Sequence, residues 1–322
     1  MQTIQTKTPG QAPLISFIVT TYDLPIGMLR DCLDSIRSLS LSKDEREILL
    51  IDDGSKEPAI VELGNYLDDI IYLRQPNRGL SAARNKGIQC CCGTYIQFVD
   101  GDDMLNKGAY EHCLDIVRYQ SPDIVQFRPT DKRDPLPPQD ALGPMTGSDF
   151  MRHNNLRAAA WGYVFKKAIL LNLRFTEGIL HEDEEFTPLL FLRAERVFTT
   201  EAQAYYYRKR VTSIVNKKDK RWIMKRLNDT RDVLFRLQER ADTLPMADRE
   251  ALQRRVSQLT MDYLYNVITL THSIEHVEKA IAPLYDRGLF PLPEKDYTTK
   301  YALFRRMVNN ARGRRLLCRL LK

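Results

Sequence analysis

Over its first 130 residues the chain alternates short apolar runs with amphipathic stretches. Leu14–Val19 predicts a buried strand, Glu47–Ile51 a second, Ile70–Leu73 a third, Thr94–Val99 a fourth and Asp123–Phe127 a fifth. Between the first two, Pro25 opens a helical pattern that puts Leu29, Cys32, Leu33 and Ile36 on one face. Leu80–Cys91, rich in small residues, and Lys107–Tyr119 also read as helices. Strand-helix alternation of this kind predicts an α/β domain whose mostly parallel sheet is covered on both faces. Prolines at 129, 135, 137, 138 and 144 then predict a loop over 129–144, because proline lacks a backbone donor and disfavours helix before it. Residues 147–156 and 161–171 read as helices, and Arg196–Tyr207 as a strand. From Asp219 the texture becomes long helical periodicity, through Trp222, Leu227, Leu234, Leu252, Leu259 and Val267. The expected division is a domain over 1–216 and a helical region over 217–322.

Composition narrows the class. Of 322 residues, 43% are hydrophobic and 28% charged, a globular balance that rules out a disordered chain. No run approaches the ~18 apolar residues of a membrane span. The opening MQTIQTKTPGQAP lacks an apolar core, so no secretory leader is expected. Six cysteines with no C-x-x-C pair, and few histidines, argue against a zinc site or a disulfide framework and for reduced thiols in a cytoplasmic setting.

Charge placement adds more than the net charge of +6. Residues 301–322 carry Arg305, Arg306, Arg312, Arg314, Arg315, Arg319 and Lys322 and no acid, so the rest of the chain is near neutral. Leu303, Phe304, Met307, Val308, Leu316, Leu317, Leu320 and Leu321 are interleaved with them, and Gly313 interrupts the stretch. Two readings stand: a basic amphipathic segment on the inner face of a membrane, or a terminal helix packed on the 219–290 helices with its charges in water. Nucleic acid is not expected, since no aromatic-interleaved basic surface accompanies the tail.

Ligands of open parallel sheets sit outside the carboxyl ends of the strands. There the chain places Thr20-Thr21-Tyr22-Asp23, Asp52-Asp53-Gly54-Ser55 and Asp100-Gly101-Asp102-Asp103. Either acidic segment alone is an ordinary turn sequence. Together, Asp52, Asp53, Asp100, Asp102 and Asp103 would repel one another unless a cation or ligand donors relieve them. No P-loop is present, and no two of the 15 glycines are adjacent or separated by one residue. That excludes the dinucleotide fingerprint and the glycine-pair loops of nucleotidyltransferases. Phosphates would then be handled by magnesium or manganese at the Asp-x-Asp and by basic side chains. Arg84 is one candidate, the alternative being a solvated helix arginine.

FIVTTYDLP, LLIDDGS, NRGLSAARNKGI and GTYIQFVDGDD resemble, in order and spacing, the nucleotide-binding half of family 2 glycosyltransferases. AAAWGYVFKKAIL, RFTEGILHEDEEF and YYYRKRVTSI resemble the acceptor half. The resemblance covers about residues 14–216 and implies the GT-A nucleotide-sugar-binding fold. By the resemblance, Tyr22 and Asp53 hold the base, beside Thr20, with Asp53 accepting from the base N–H. Asp100 reaches the ribose or donor sugar, and Asp102 ligates the metal on the diphosphate. Arg84, Arg208 and Arg210 serve the nucleotide-sugar, and Asp183 is the catalytic base. A uridine diphosphate sugar is the implied donor, and a glycan or lipid-linked glycan the acceptor. Thr20-Thr21 stands where proline and an apolar residue are usual, and Asp23 where asparagine is usual. The Q-x-x-R-W signature of processive members is missing.

The chemistry makes the same demands. Inverting transfer needs a carboxylate to take the acceptor proton on one face and cations to stabilise the leaving diphosphate on the other. Asp102 and Asp183 would have to meet across one cleft. Acids in the 181–185 run also suit a helix N-terminus, the simpler reading. Trp161 reads as a core aromatic in preference to a wall for a sugar ring. The rival functions are a nucleotidyltransferase, against which the glycine spacing counts, and a non-catalytic binding module, against which Asp102 and Asp183 count.

Overall fold

The computed structural model describes residues 12–132, 140–209, 219–295 and 297–321. The opening segment with its leader expectation, the centre of the proline-rich stretch, Arg210 and the expected boundary near 216 lie outside them. The chain divides into two compact units. One takes residues 1–145, 159–178 and 193–209, and the other 146–158, 179–192 and 210–322. Two segments that precede residue 216 thus group with the C-terminal helices.

The first unit is built on eleven strands among its described residues: β1 (Ile15–Thr21), β2 (Arg46–Asp52), β3 (Ile71–Arg74), β4 (Tyr95–Asp100), β5 (Met104–Leu105), β6 (Ile124–Gln126), β7 (Pro129–Thr130), β8 (Ala141–Met145), β9 (Tyr163–Lys166), β10 (Val197–Thr200) and β11 (Tyr205–Tyr206). Eight of them form one sheet in the order β3-β2-β1-β4-β9-β6-β10-β8, and β5-β11-β7 form a second. The pairs β1–β2, β1–β4, β2–β3 and β6–β10 are parallel. β9 runs antiparallel between β4 and β6, and β8 closes the edge antiparallel to β10.

Helices α1 (Ile26–Arg37), α2 (Leu80–Cys90) and α3 (Lys107–Gln120) fall where the periodicity puts them. α1 buries the predicted face of Leu29, Cys32, Leu33 and Ile36. α2 is small-residue-rich because it lies close on the sheet: a Cβ on Gly87 would run into the Ile18 side chain. All seven residues of β1 are buried, as expected of a central strand covered on both faces. The fold is the expected mostly parallel α/β architecture.

Three local expectations are corrected. Residues 161–171 are not a helix but β9 followed by a single 3₁₀ turn at Lys167–Leu170. Tyr163, Val164 and Phe165 are fully buried between two strands, and a continuous apolar run carries no periodicity to separate strand from helix. The stretch 196–207 is two short strands in different sheets. The flanks of the proline-rich loop are strands in different sheets, β7 beside β11 and β8 on the edge beside β10, where Pro144 is tolerated.

The second unit is helical: α4 (Gly147–His153), α5 (Asp183–Phe191), α6 (Lys220–Asp242), α7 (Met246–Thr271), α8 (Ile274–Asp286), α9 (Thr299–Val308) and α10 (Ala311–Leu320). Asp219 caps α6, its carboxylate accepting from Trp222 N–H at 3.1 Å. Gly313 does not interrupt the tail. The break lies at Asn309-Asn310, where Asn310 caps α10, and Gly313 sits inside that helix. Among the described residues, no helix is long and apolar enough to cross a membrane.

Candidate functional site

The parallel register of the first unit brings three segments to one edge. Thr20 pairs with Ile51 of β2 and with Asp100 of β4, and Thr21 pairs with Asp52. The segments that leave β1, β2 and β4 therefore start level. Asp53 N–H donates to Thr21 O and Gly101 N–H to Thr20 O, both at 2.9 Å. A Cβ on Gly101 would stand 2.8 Å from Thr20 O, so the turn after β4 fits against β1 only with glycine there. Gly54, at φ +80°, is under the same constraint against Asn77 N.

Asp23, also at positive φ, fastens the first two segments together. Its N–H donates to Ser55 Oγ at 3.0 Å, and Lys56 N–H donates to its carboxylate at 2.8 Å. Beside it Thr20 is buried while Tyr22 is half exposed, at 49%, with its ring available at the edge.

Asp52 ends β2 and Asp53 is the first residue beyond it, and different donors reach the two carboxylates. Asp52 is wholly buried and accepts from Ser55 N–H at 2.8 Å, Ala59 N–H at 3.3 Å and the Tyr72 hydroxyl at 2.6 Å. Burial works to raise its pKa, but Tyr72, Ser55 and Ala59 together hold it below the usual value. It ties the loop down from inside and does not join the converging carboxylates that the sequence suggested. Asp53 accepts from Gln75 Nε2 at 2.7 Å, Arg78 N–H at 3.0 Å and Gly79 N–H at 2.7 Å. Three donors fix its carboxylate, and its acceptor capacity is not exhausted by them.

Around the turn after β4, Asp100 accepts from Arg84 Nη2 at 3.0 Å. Arg84 is buried, with Phe98 and Phe175 rings about its guanidinium at 5.7 and 5.5 Å, and is not the solvated helix arginine of the simpler reading. Asp102 is half-buried. Asp103 is buried and accepts from Arg208 N–H at 2.8 Å and the Tyr205 hydroxyl at 2.9 Å. Burial pushes its pKa up to about 8, with repulsion from Asp100 and then Asp102 adding to it. Arg208 directs its own guanidinium to Asp31 at 2.8 Å. Tyr205 also accepts from Asp100 N–H at 3.1 Å, so one buried hydroxyl holds both ends of the acidic turn. Trp161 stacks on Tyr205 at 4.4 Å and lies near parallel to Tyr207 at 5.8 Å, partly buried against the core as the sequence reading preferred. Tyr205, Gln75 and Asp31 were not singled out from sequence. Each acts through a pairing 22 to 177 positions away, which periodicity does not encode.

The Asp100–Asp103 turn suits magnesium or manganese by its hard oxygen donors. Among the described residues no group of three or more His, Cys, Asp or Glu is placed to hold a metal. The fit is therefore to an ion that takes one or two carboxylates and draws its other ligands from phosphate and water.

In the second unit, Asp183 is the first residue of α5. Glu184 is paired with Arg255 of α7, and Glu185 with Arg236 of α6 through two bonds of 2.7 Å. Leu180 N–H donates to Asp229 of α6 at 2.8 Å. His181, at φ +60°, has its pKa lowered by burial and by the charge of Arg226. The segment 180–185 is thus held by side chains from two long helices. Three acids in a first helical turn also favour the dipole, so the simpler reading keeps a share in the arrangement.

Comparison with known proteins gives a consistent result. Residues 16–161 match the family described as Glycosyl transferase family 2. The uncharacterized glycosyltransferase EpsJ of Bacillus subtilis is 31% identical over 223 residues, and the match spans 63% of each chain. TarS of S. aureus, residues 1–349 in complex with UDP-GlcNAc, superposes with a TM-score of 0.59 at 17% identity, over 85% of this chain and 92% of that one. The mannosyltransferase PcManGT of Pyrobaculum calidifontis, in complex with GDP-Man and Mn2+, gives 0.58 at 14% identity, over 97% and 87%. At these identities the two structures speak to the fold alone, which is the GT-A type.

Proposed function

We propose that this chain, which belongs to Glycosyl transferase family 2 through residues 16–161, transfers a sugar with inversion from a nucleotide-sugar to a hydroxyl of a glycan or lipid-linked glycan. The observation that carries the reading is the level convergence of Tyr22, Asp53 and Asp100–Asp103 on one sheet edge. Bound UDP-GlcNAc and GDP-Man in proteins of the same fold support a nucleotide-sugar donor. A uridine diphosphate sugar is the donor we assign.

In this scheme Tyr22 stacks on the base and Asp53 accepts from a base N–H. Asp100, held by Arg84, reaches the ribose or the donor sugar. Asp102 would hold a magnesium or manganese ion, whose contribution would be to neutralise diphosphate charge. Arg208 and Arg210 add positive charge for the diphosphate. Asp183 takes the proton of the acceptor hydroxyl as that oxygen attacks the anomeric carbon. The bond to the diphosphate breaks with its electron pair on the nucleoside diphosphate, and the proton ends on Asp183. Glu184 and Glu185 are less suited to the role, because arginines already engage them.

The test is a panel of uridine, guanosine, cytidine and thymidine diphosphate sugars, read by thermal shift with manganese and with chelator. Uridine diphosphate sugars should raise the melting temperature in manganese, since a ligand of the native state stabilises it by mass action. No shift with any donor would overturn the reading. A shift confined to another base would overturn only the base assignment.

A further inference from the structure

The two tail helices leave a face that the fold does not use. α9 and α10 turn Tyr301, Phe304, Val308, Leu317 and Cys318 inward, all buried. A Cβ on Gly313 would collide with Met307 O, so glycine lets α10 approach α9 closely. Two arginines of the stretch serve the packing. Arg314 is paired with Glu278 at 2.9 and 3.1 Å, and Arg305 with Glu294 at 3.3 Å.

The rest of α10 points to solvent: Arg312, Arg315, Leu316, Arg319 and Leu320 are all exposed. Their spacing of i, i+3, i+4, i+7 and i+8 is one continuous helix face. Leu316 is 47% and Leu320 65% exposed, one turn apart and flanked by the arginines. On α9, Leu303 is 63% exposed and Arg306 is exposed beside it. Among the described residues, the ion pairs of this stretch are those of Arg305 and Arg314, and no acid occurs anywhere between 297 and 322.

We infer that this face docks on an anionic lipid surface. Guanidinium groups pair with lipid phosphates, while their stems and the intervening leucines fit the boundary between headgroups and acyl chains. Arginines alone would suit any polyanion. The exposed leucines between them favour lipid, because a nucleic-acid backbone offers them nothing apolar. The two sequence alternatives are thereby joined: the tail packs on the helical unit through one side and presents the other. The inference is independent of the sugar-transfer reading, since it rests on α9 and α10 alone.

The experiment is flotation of the full chain with phosphatidylcholine vesicles, with and without about one third phosphatidylglycerol. The parent should float only with the anionic vesicles and should detach as salt rises. Each arginine near such a surface is worth about fivefold in partitioning, so Arg315→Glu with Arg319→Glu should lower it by at least ~25-fold. Leu316→Ser with Leu320→Ser, which keeps every charge, should lower it about tenfold. All four positions are exposed, and the helical circular dichroism of each double variant verifies that it folds. Failure of the parent to float at low salt would overturn the inference, as would flotation unchanged by the arginine substitutions. Flotation that needs the arginines but ignores the leucines would overturn the seating of Leu316 and Leu320 at the acyl boundary and leave a purely electrostatic contact with the lipid surface.

Discussion

Two acidic clusters, one in each unit, handle their charge in opposite ways. In the helical unit Glu184 and Glu185 each meet an arginine from a long helix. At the sheet edge, Asp100, Asp102 and Asp103 crowd into one turn, where Arg84 reaches Asp100 but Asp103 is met only by a hydroxyl and a backbone N–H among its hydrogen-bond partners. Burial, with repulsion from Asp100 and then Asp102, pushes the Asp103 pKa up to about 8. Glu184 and Glu185 are matched by cations from their own scaffold. Acids gathered on a strand edge in a strained electrostatic state suit a ligand that brings the compensating charge.

The largest effect should come from the acidic run of the helical unit. Asp183→Asn keeps volume and shape but cannot take a proton. Sugar transfer should fall by ~10²-fold or more, the range for losing a general base, with donor affinity nearly unchanged. Glu184→Gln loosens the pair with Arg255 and should act on stability, with turnover falling far less. The measurements are turnover, donor dissociation constant and denaturant midpoint for both variants. A dead Glu184→Gln beside an active Asp183→Asn would reverse the assignment of the base.

A smaller effect is expected at the sheet edge. Asp102→Asn removes one charge from the turn while leaving the Arg84–Asp100 and Tyr205–Asp103 bonds in place. Affinity for the nucleoside diphosphate in manganese should drop on the order of tenfold, as for loss of one charged contact. The residual affinity should no longer respond to chelator. Titration calorimetry with and without chelator measures both quantities. If the parent binds equally well in excess chelator, the turn does not work through a metal.

Much of the sheet edge was legible because it is written locally. An apolar run that ends in Asp-Asp-Gly or Asp-Gly-Asp-Asp marks both a buried strand and the polar turn at its end. The start of α5 is equally local, a run of acids that suits a helix N-terminus. What the sequence hid is long-range. β9 reads as helix because its strand character comes from β4 and β6 on either side. Gly313 reads as a helix breaker because its contact with Met307 exists only once α10 folds back on α9. Asp52 and Asp53 are chemically identical neighbours, and only the fold decides which donors reach each of them.

Tyr205 offers the finest test of the contrast. Its hydroxyl donates to Asp103 and accepts from Asp100 N–H, and its ring is fully buried under Trp161. Tyr205→Phe keeps the ring and the stacking but leaves a buried carboxylate oxygen and a backbone N–H each short of one partner. Leaving buried polar groups unsatisfied costs ~1–3 kcal/mol, which sets the expected loss of stability in a denaturant titration. The acidic turn would also lose the tether that joins its two ends, so nucleoside diphosphate affinity should weaken a fewfold, less than in Asp102→Asn. Tyr72→Phe is the matched control. It removes the hydroxyl that donates to Asp52 at 2.6 Å, from an acid that still accepts from Ser55 and Ala59 N–H. Its stability loss should be comparable and its effect on nucleotide affinity negligible. If both variants lose nucleotide affinity alike, the distinction between a packing acid and a ligand-facing acid on this edge does not hold.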